Sequence, residues 1–178
     1  MTQTPDTQET IQSILERRSC RYFLPDELPE EHLDLLLECL RWAPSGGNMQ
    51  PWRFYVVKDA ARKQALVQAA FGQKFIGDAP VVIVVCAVPE ESGARYGQRG
   101  ATLYCIQDTA AAVQNLLLGA TALGYGTCWI GAFDEDAAAK ALNLPAGQRP
   151  VAMVPVGKPA RFGRRTDRRP RSEVVIDL

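Results

Sequence analysis

The chain has 178 residues, 47% of them apolar and 22% charged, with 20 basic against 20 acidic side chains. That length suits one compact domain, residues 1–178, burying roughly 70% of its unfolded surface, and zero net charge gives no global field toward nucleic acid or a membrane surface. The longest apolar run, residues 79–88, is half a membrane span and contains Pro80, so it predicts a buried strand and no membrane association.

The start, MTQTPDTQET, is polar and acidic; it is no signal peptide, residues 1–8 are expected to be flexible, and a cytoplasmic location is the default. Asp6 or Thr7 can cap a first helix with Ile11, Ile14 and Leu15 on its apolar face. It ends in ERRSCRYF. Pro29, Glu30 and Glu31 start a second helix, with Leu33, Leu36, Leu37 and Leu40 at helical spacing, and Pro44 ends it. RFYVVKD reads as a strand, after which Asp59 caps a third helix to about Phe71, closed by Gly72. PVVIVVCAV is a strand covered on both faces. PEESGARYGQRG reads as a polar loop. A long helix follows from about Ala101 to Leu123, with Leu103, Ile106, Ala110, Val113, Leu117 and Leu123 on one stripe and Leu116 and Leu118 elsewhere; apolar on several sides, it belongs in a core or a subunit interface. GYGTCWIGAF reads as a strand, Asp134 caps a short alanine-rich helix, and RPVAMVPVG and the terminal EVVIDL are two further strands. Without strict β-α alternation, the best class is an α+β sandwich.

Five scattered cysteines, Cys20, Cys39, Cys86, Cys105 and Cys128, never in C-x-x-C spacing, indicate reduced structural thiols and no zinc site. The single histidine, His32, lies in PEEHLD and reads as an exposed helix residue, which removes Ser-His-Asp and H-E-x-x-H chemistry.

Four segments could carry chemistry. Arg17, Arg18, Ser19 and Arg21 fall at a helix end; arginines there offset the helix terminus, worth about 0.3–1 kcal/mol, but these three cannot share one face, and a phosphate is the natural acceptor for forked hydrogen bonds. APSGGNMQPWRF, residues 43–54, is either a connector whose Ser45, Asn48 and Gln50 cap local backbone, or a loop whose Gly46 and Gly47 let a flat ligand approach. GYGTCWIG closes a helix and opens a strand, the reverse of a Rossmann fingerprint; its glycines mark close backbone approach. Six arginines between Arg161 and Arg171 form either a solvated tail, a nucleic-acid arm or a source of one or two phosphate ligands.

In this order and spacing the segments R-R-S-x-R-x-F (17–23), A-P-S-x-x-N-x-Q-P-W-x-F (43–54), G-Y-G-T-C-W-I-G (124–131) and the arginine before the last strand resemble the FMN-dependent nitroreductase family, over about residues 10–177. The resemblance implies a nitroreductase-like α/β sandwich with a central mixed, mainly antiparallel sheet flanked by helices, and an obligate homodimer whose long helix lies in the interface. It implies FMN binding by Arg17, Arg18, Ser19 and Arg21 at phosphate, ribityl and pyrimidine; by Pro44, Ser45, Gly46, Asn48 and Gln50 along the ring, often from the partner; by Trp129, Ile130 and Gly131 beside the isoalloxazine; and by Arg168, or Arg169 one register away, at the phosphate. It implies an NADH- or NADPH-dependent oxidoreductase working by a ping-pong hydride transfer through the flavin to a nitroaromatic, quinone or similar small acceptor, with no catalytic side chain and no metal; an FMN-binding sensor or storage protein is the alternative. The segment that often builds a substrate lid is short here, which implies a more open pocket or one completed by the partner.

Overall fold

The apolar run VVIVVCA dictates the middle of the fold. β-Branched side chains favour extended backbone, and a run without alternation needs cover on both faces. The computed structural model describes residues 7–178; the candidate cap Asp6 and most of the expected flexible segment lie outside the described residues. In it, strand β2 (Val81–Ala87) has every residue buried. It pairs antiparallel with β1 (Trp52–Val57) on one side and β4 (Arg149–Gly157) on the other, and β4 pairs with the two-residue β3 (Gly126–Thr127), giving the order β1-β2-β4-β3. The three strand pairs are antiparallel, and a parallel bridge joins Ser19 to Thr127.

Alternate residues of β2 feed two cores, as the pleat requires. Val81, Ile83 and Val85 join Leu33, Leu36 and Leu40 of α2 (Glu30–Arg41) and Ala112, Val113, Leu116 and Leu117 of α6 (Cys105–Ala122). Val82, Val84 and Cys86 join α3 (Ala60–Ala69), α4 (Phe75–Asp78) and α7 (Glu135–Leu142) on the opposite face. Each of these fully covered aliphatic side chains contributes about 1.5–3 kcal/mol relative to exposure. The helix starts follow their signals. The Asp59 carboxylate accepts from the Arg62 N–H at 2.9 Å, and the Asp134 carboxylate from the Ala137 N–H at 2.9 Å. Gly72, at φ 80°, terminates the turn after α3 with its N–H on the Val67 carbonyl.

Several expectations are corrected. PEESGARYGQRG is helix α5 (Pro89–Arg99), not a loop: proline in its first turn and Glu90 and Glu91 beside the N-terminus are helix starters that outweigh its polarity. A π turn, Gly100–Tyr104, joins it to α6. A Cβ at Gly100 would lie 2.3 Å from the Ser92 carbonyl oxygen, so only glycine lets the two helices close on each other there. In α6 the buried stripe runs through Cys105, Thr109, Ala112, Val113, Leu116, Leu117 and Ala120, while Ile106, Ala110 and Leu118 are half-buried. GYGTCWIGAF keeps only two residues in ladder, then touches the sheet again through Ile130 and Met153. EVVIDL is not a strand in this chain: one helical turn, α8 (Arg171–Val174), precedes exposed residues that find no ladder neighbour among the described residues. The apolar side chains of α1 (Thr7–Glu16), Ile11, Ile14 and Leu15, are exposed. His32 is half-buried, hydrogen-bonded through Nδ1 to the Tyr125 hydroxyl at 2.7 Å.

Candidate functional site: an arginine groove and a strained loop

The segment after α1 is held as a ribbon. The Cys20 N–H donates to the Thr127 carbonyl at 2.7 Å, the Ala160 N–H to the Tyr22 carbonyl at 2.9 Å, and the Leu24 N–H to the Lys158 carbonyl at 2.9 Å. Cys20 points inward and is fully buried; Arg21 is exposed and Ser19 half-buried. The fit is close because residue 126 is glycine: a Cβ there would meet Cys20 Cβ at 2.7 Å and Sγ at 2.8 Å. This ribbon brings the N-terminal arginines beside the C-terminal ones. Arg165 donates to the Leu15 carbonyl at 2.8 Å, and the Arg18 guanidinium lies 4.3 Å from the Phe162 ring centroid.

The result is a groove of about 480 Å³ lined by Arg17, Arg18 and Arg21 from one end of the chain and Arg164, Arg165 and Arg168 from the other. Ser19 and Thr166 add hydroxyls, and no acidic residue among the described residues lines it. Guanidiniums converging without a carboxylate form an anion site, and their planar forks suit phosphate oxygens. The field reaches inward. Burial pushes the Cys128 thiol up, while Arg21, a hydrogen bond from Ser19 and Arg17 pull the other way. Arg168 lines the groove and also donates to the Thr166 carbonyl at 3.1 Å. Arg169 is exposed and does not line it. A phosphate monoester fits this donor set; the six guanidiniums exceed what one phosphate needs.

The loop at 44–50 does not line that groove. It forms a short 3-10 turn, Gly46–Asn48, packed on the start of α6. The Ser45 hydroxyl accepts from the Gln50 N–H at 3.0 Å, so its oxygen serves the loop itself. Asn48 and Gln50 both have positive φ, 58° and 50°. Non-glycine residues in that region cost about 1–3 kcal/mol each and gather at functional sites. Pro44, Asn48 and Gln50 are exposed. The crowding at Gly47 has a different source from the flat ring expected there. A Cβ would meet the Tyr96 hydroxyl at 2.4 Å and Arg95 at 2.8 Å, both from α5 of the same chain. The Gly46 N–H donates to Asp108 at 3.1 Å. Asp108 is only 7% exposed, its other oxygen has no partner among the described residues, and burial pushes its carboxyl up.

The third segment lies at the sheet. Ile130 is buried and exchanges hydrogen bonds with Met153 at 2.9 and 3.0 Å. Trp129 is 40% exposed and borders a small crevice with Ile106 and Ala110 of α6. Gly131 faces open space. Sequence reasoning did not single out Arg164, Arg165 or Asp108. The first two were visible only as part of an arginine run, and the acid was visible as a lone carboxylate within an apolar helix.

Fold and groove define a class: an α+β sandwich that gathers cations from both ends of its chain around a groove of about 480 Å³. The nitroreductase family matches residues 14–74 and 67–158, and the chain belongs to that family. It is 35% identical over 191 residues to an NADH dehydrogenase of Thermus thermophilus, covering 92% of this chain and 93% of that protein. A putative NADH dehydrogenase/NAD(P)H nitroreductase of Archaeoglobus fulgidus is 34% identical over 157 residues, covering 85% and 86%. An FMN reductase (NADPH) of Bacillus subtilis is 27% identical over 93% of this chain and 72% of its own length. The NfrA1 nitroreductase structure from B. subtilis superposes with a TM-score of 0.86 at 25% identity, over 94% of this chain and 73% of that one.

Proposed function

We propose that the protein is an NAD(P)H-dependent oxidoreductase that holds FMN and reduces a small organic acceptor such as a nitroaromatic or a quinone. The observation that carries this is the groove where Arg17, Arg18, Arg21 and Arg168 converge with Ser19; the relatives with nicotinamide- and FMN-reducing names support it. Arg17, Arg18 and Arg168 hold the phosphate through charge-assisted hydrogen bonds. Arg21, which lines the same groove, would supply positive charge that favours the anionic reduced form of a bound flavin. When bound, FMN supplies the centre that accepts hydride from the nicotinamide and passes it to the acceptor. No side chain is required as nucleophile or general base.

The working unit is a homodimer. The loop 44–50, with its two strained residues, does not line this chain's own arginine groove, and a second copy would bring it alongside; Trp129 and Gly131 follow Thr127, which bridges to Ser19 beside that groove in the same chain. Exposed apolar residues on α1, Trp42 at 80% exposure, and Val174, Val175, Ile176 and Leu178 provide surface for that partner. No helix among the described residues is long and apolar enough to cross a membrane.

The test is an absorbance spectrum of the purified protein with added FMN, followed anaerobically with NADH and NADPH. Flavin bands near one FMN per chain that bleach with a nicotinamide are the expected result. Protein that takes up no FMN overturns the cofactor assignment, and bound flavin that neither nucleotide bleaches leaves a flavin-binding protein without turnover.

A further inference from the structure

Several irregularities of the chain gather in one place. Helix α5 bends at Gly97, where φ is 56°, and runs through the π turn Gly100–Tyr104 into α6. Among the described residues, the two buried side-chain polar atoms without a hydrogen-bond partner, Ser92 Oγ and Asp108 Oδ2, both belong to this unit. It packs behind the 44–50 loop, whose Asn48 and Gln50 keep positive φ. Three contacts join loop and helices. The Gly46 N–H donates to Asp108 Oδ1 at 3.1 Å, and Arg95 donates to the Gly47 carbonyl at 3.3 Å. The Tyr96 and Tyr104 rings, edge to face with centroids 5.2 Å apart, each stand 3.6 Å from where a Gly46 Cβ would lie. Strained backbone and π turns both concentrate at functional sites, and strain persists only where the surroundings impose it.

Of these contacts, the one to Asp108 is not explained by stability. Asp108 lies in the first turn of α6, between the fully buried Cys105 and Ala112. It is 7% exposed, it has one hydrogen bond for two oxygens, and no cation pairs with it among the described residues. Burying an acid with so few partners is unfavourable, and an apolar side chain would fill the same place. What the carboxylate gains is a charge-assisted bond to the first residue of the 3-10 turn, in dry surroundings that strengthen it. The Ser45–Gln50 bond closes the loop on itself but ties it to nothing else; the Asp108–Gly46 bond ties it to the body of the protein. We propose that Asp108 is a positioning residue: by holding Gly46 from behind, it sets where the 44–50 loop stands against the flavin and so how an acceptor is seated on the ring. This rests on the reading that the loop meets FMN, but the hold on the loop can be tested without flavin.

The experiment compares Asp108→Leu, which removes the acceptor, with Asp108→Asn, which keeps an oxygen for the Gly46 N–H. Amide hydrogen exchange of the loop is followed in flavin-free protein, and NAD(P)H-dependent reduction of p-benzoquinone in FMN-loaded protein. Asp108→Leu is expected to speed exchange at Gly47–Gln50 about five-fold or more. It is expected to lower kcat/KM for the quinone about ten-fold or more, with FMN affinity within about three-fold of wild type because the phosphate is held elsewhere. Asp108→Asn is expected to stay within about three-fold of wild type in all three. Loop exchange unchanged in Asp108→Leu overturns the proposal, and so does a loosened loop with unchanged kcat/KM. A merely structural role would lower the stability of Asp108→Leu without separating the two variants in turnover, and that result also overturns it. If Asp108→Leu fails to fold, Gly46→Pro removes the same bond from the donor side and is judged by the same readouts. If the protein binds no FMN, or bound flavin is not reduced, the oxidoreductase reading fails and loop exchange alone decides: faster in Asp108→Leu but not in Asp108→Asn upholds the hold on the loop, and no difference overturns it.

Discussion

Gly126→Ala reports on how the ribbon at 19–24 is seated. The added methyl carbon would lie 2.7 Å from Cys20 Cβ, 2.8 Å from its Sγ and 3.3 Å from Pro159 Cβ. None of these can swing away easily: Cys20 is fully buried and its N–H is bonded to the Thr127 carbonyl at 2.7 Å. Overpacking of this kind costs about 1–3 kcal/mol. At 178 residues a loss of 2 kcal/mol lowers Tm by roughly 4–8 °C. Gly131→Ala is the control, because a Cβ there meets nothing within 4 Å; its effect on stability is expected within about 0.5 kcal/mol. Urea unfolding of flavin-free protein measures both. Gly126→Ala also shifts Ser19 and Arg21, so its FMN affinity falls together with its stability, whereas Gly131→Ala weakens FMN binding alone if the flavin lies over that open face. Equal stability of the two variants would refute the argument that residue 126 is glycine for contact with Cys20.

Three further outcomes follow from the same geometry. Arg168→Ala is expected to weaken FMN binding by about 1.5–3 kcal/mol, the worth of a charged hydrogen bond, and Arg169→Ala by less than about 0.5 kcal/mol; the opposite order in a fluorescence titration would transfer the phosphate role. Asp108 tests burial. With its carboxyl raised above 3.8, the folded protein retains a proton the unfolded chain has released, so stability falls as pH rises from that value through the raised one. Asp108→Asn keeps an oxygen for the Gly46 N–H and removes this fall, and a stability difference from wild type that is constant between about pH 4 and pH 7 contradicts it. Burial pushes the Cys86 thiol up to about 12, so a thiolate-specific reagent at mildly alkaline pH should label it only after unfolding; mass-mapped labelling of the native protein would disprove this.

The sandwich was legible because its signals are local. The β-branched run of β2, the leucine spacing of α2, and the caps at Asp59 and Asp134 act within a few residues of themselves. The errors arose where a distant partner decides. α5 is polar because one side faces solvent, and polarity alone resembled a loop. EVVIDL has the composition of a strand, but a strand requires a neighbour, and none lies beside it among the described residues. The first three groove arginines stood out because they exceeded any capping need. Arg164 and Arg165 did not, since nothing local separates them from Arg169 or Arg171. The role of Asp108 was invisible for the same reason: its partner, Gly46, lies 62 residues away.

The bond from Arg165 to the Leu15 carbonyl spans 150 positions of sequence, and this has a consequence for synthesis. During translation, Arg17, Arg18 and Arg21 emerge early but have no counterparts until the ribosome has passed residue 168. The groove cannot close until residues 164–168 have been made, after all four strands. A nascent chain therefore lacks half of the groove's guanidiniums until then.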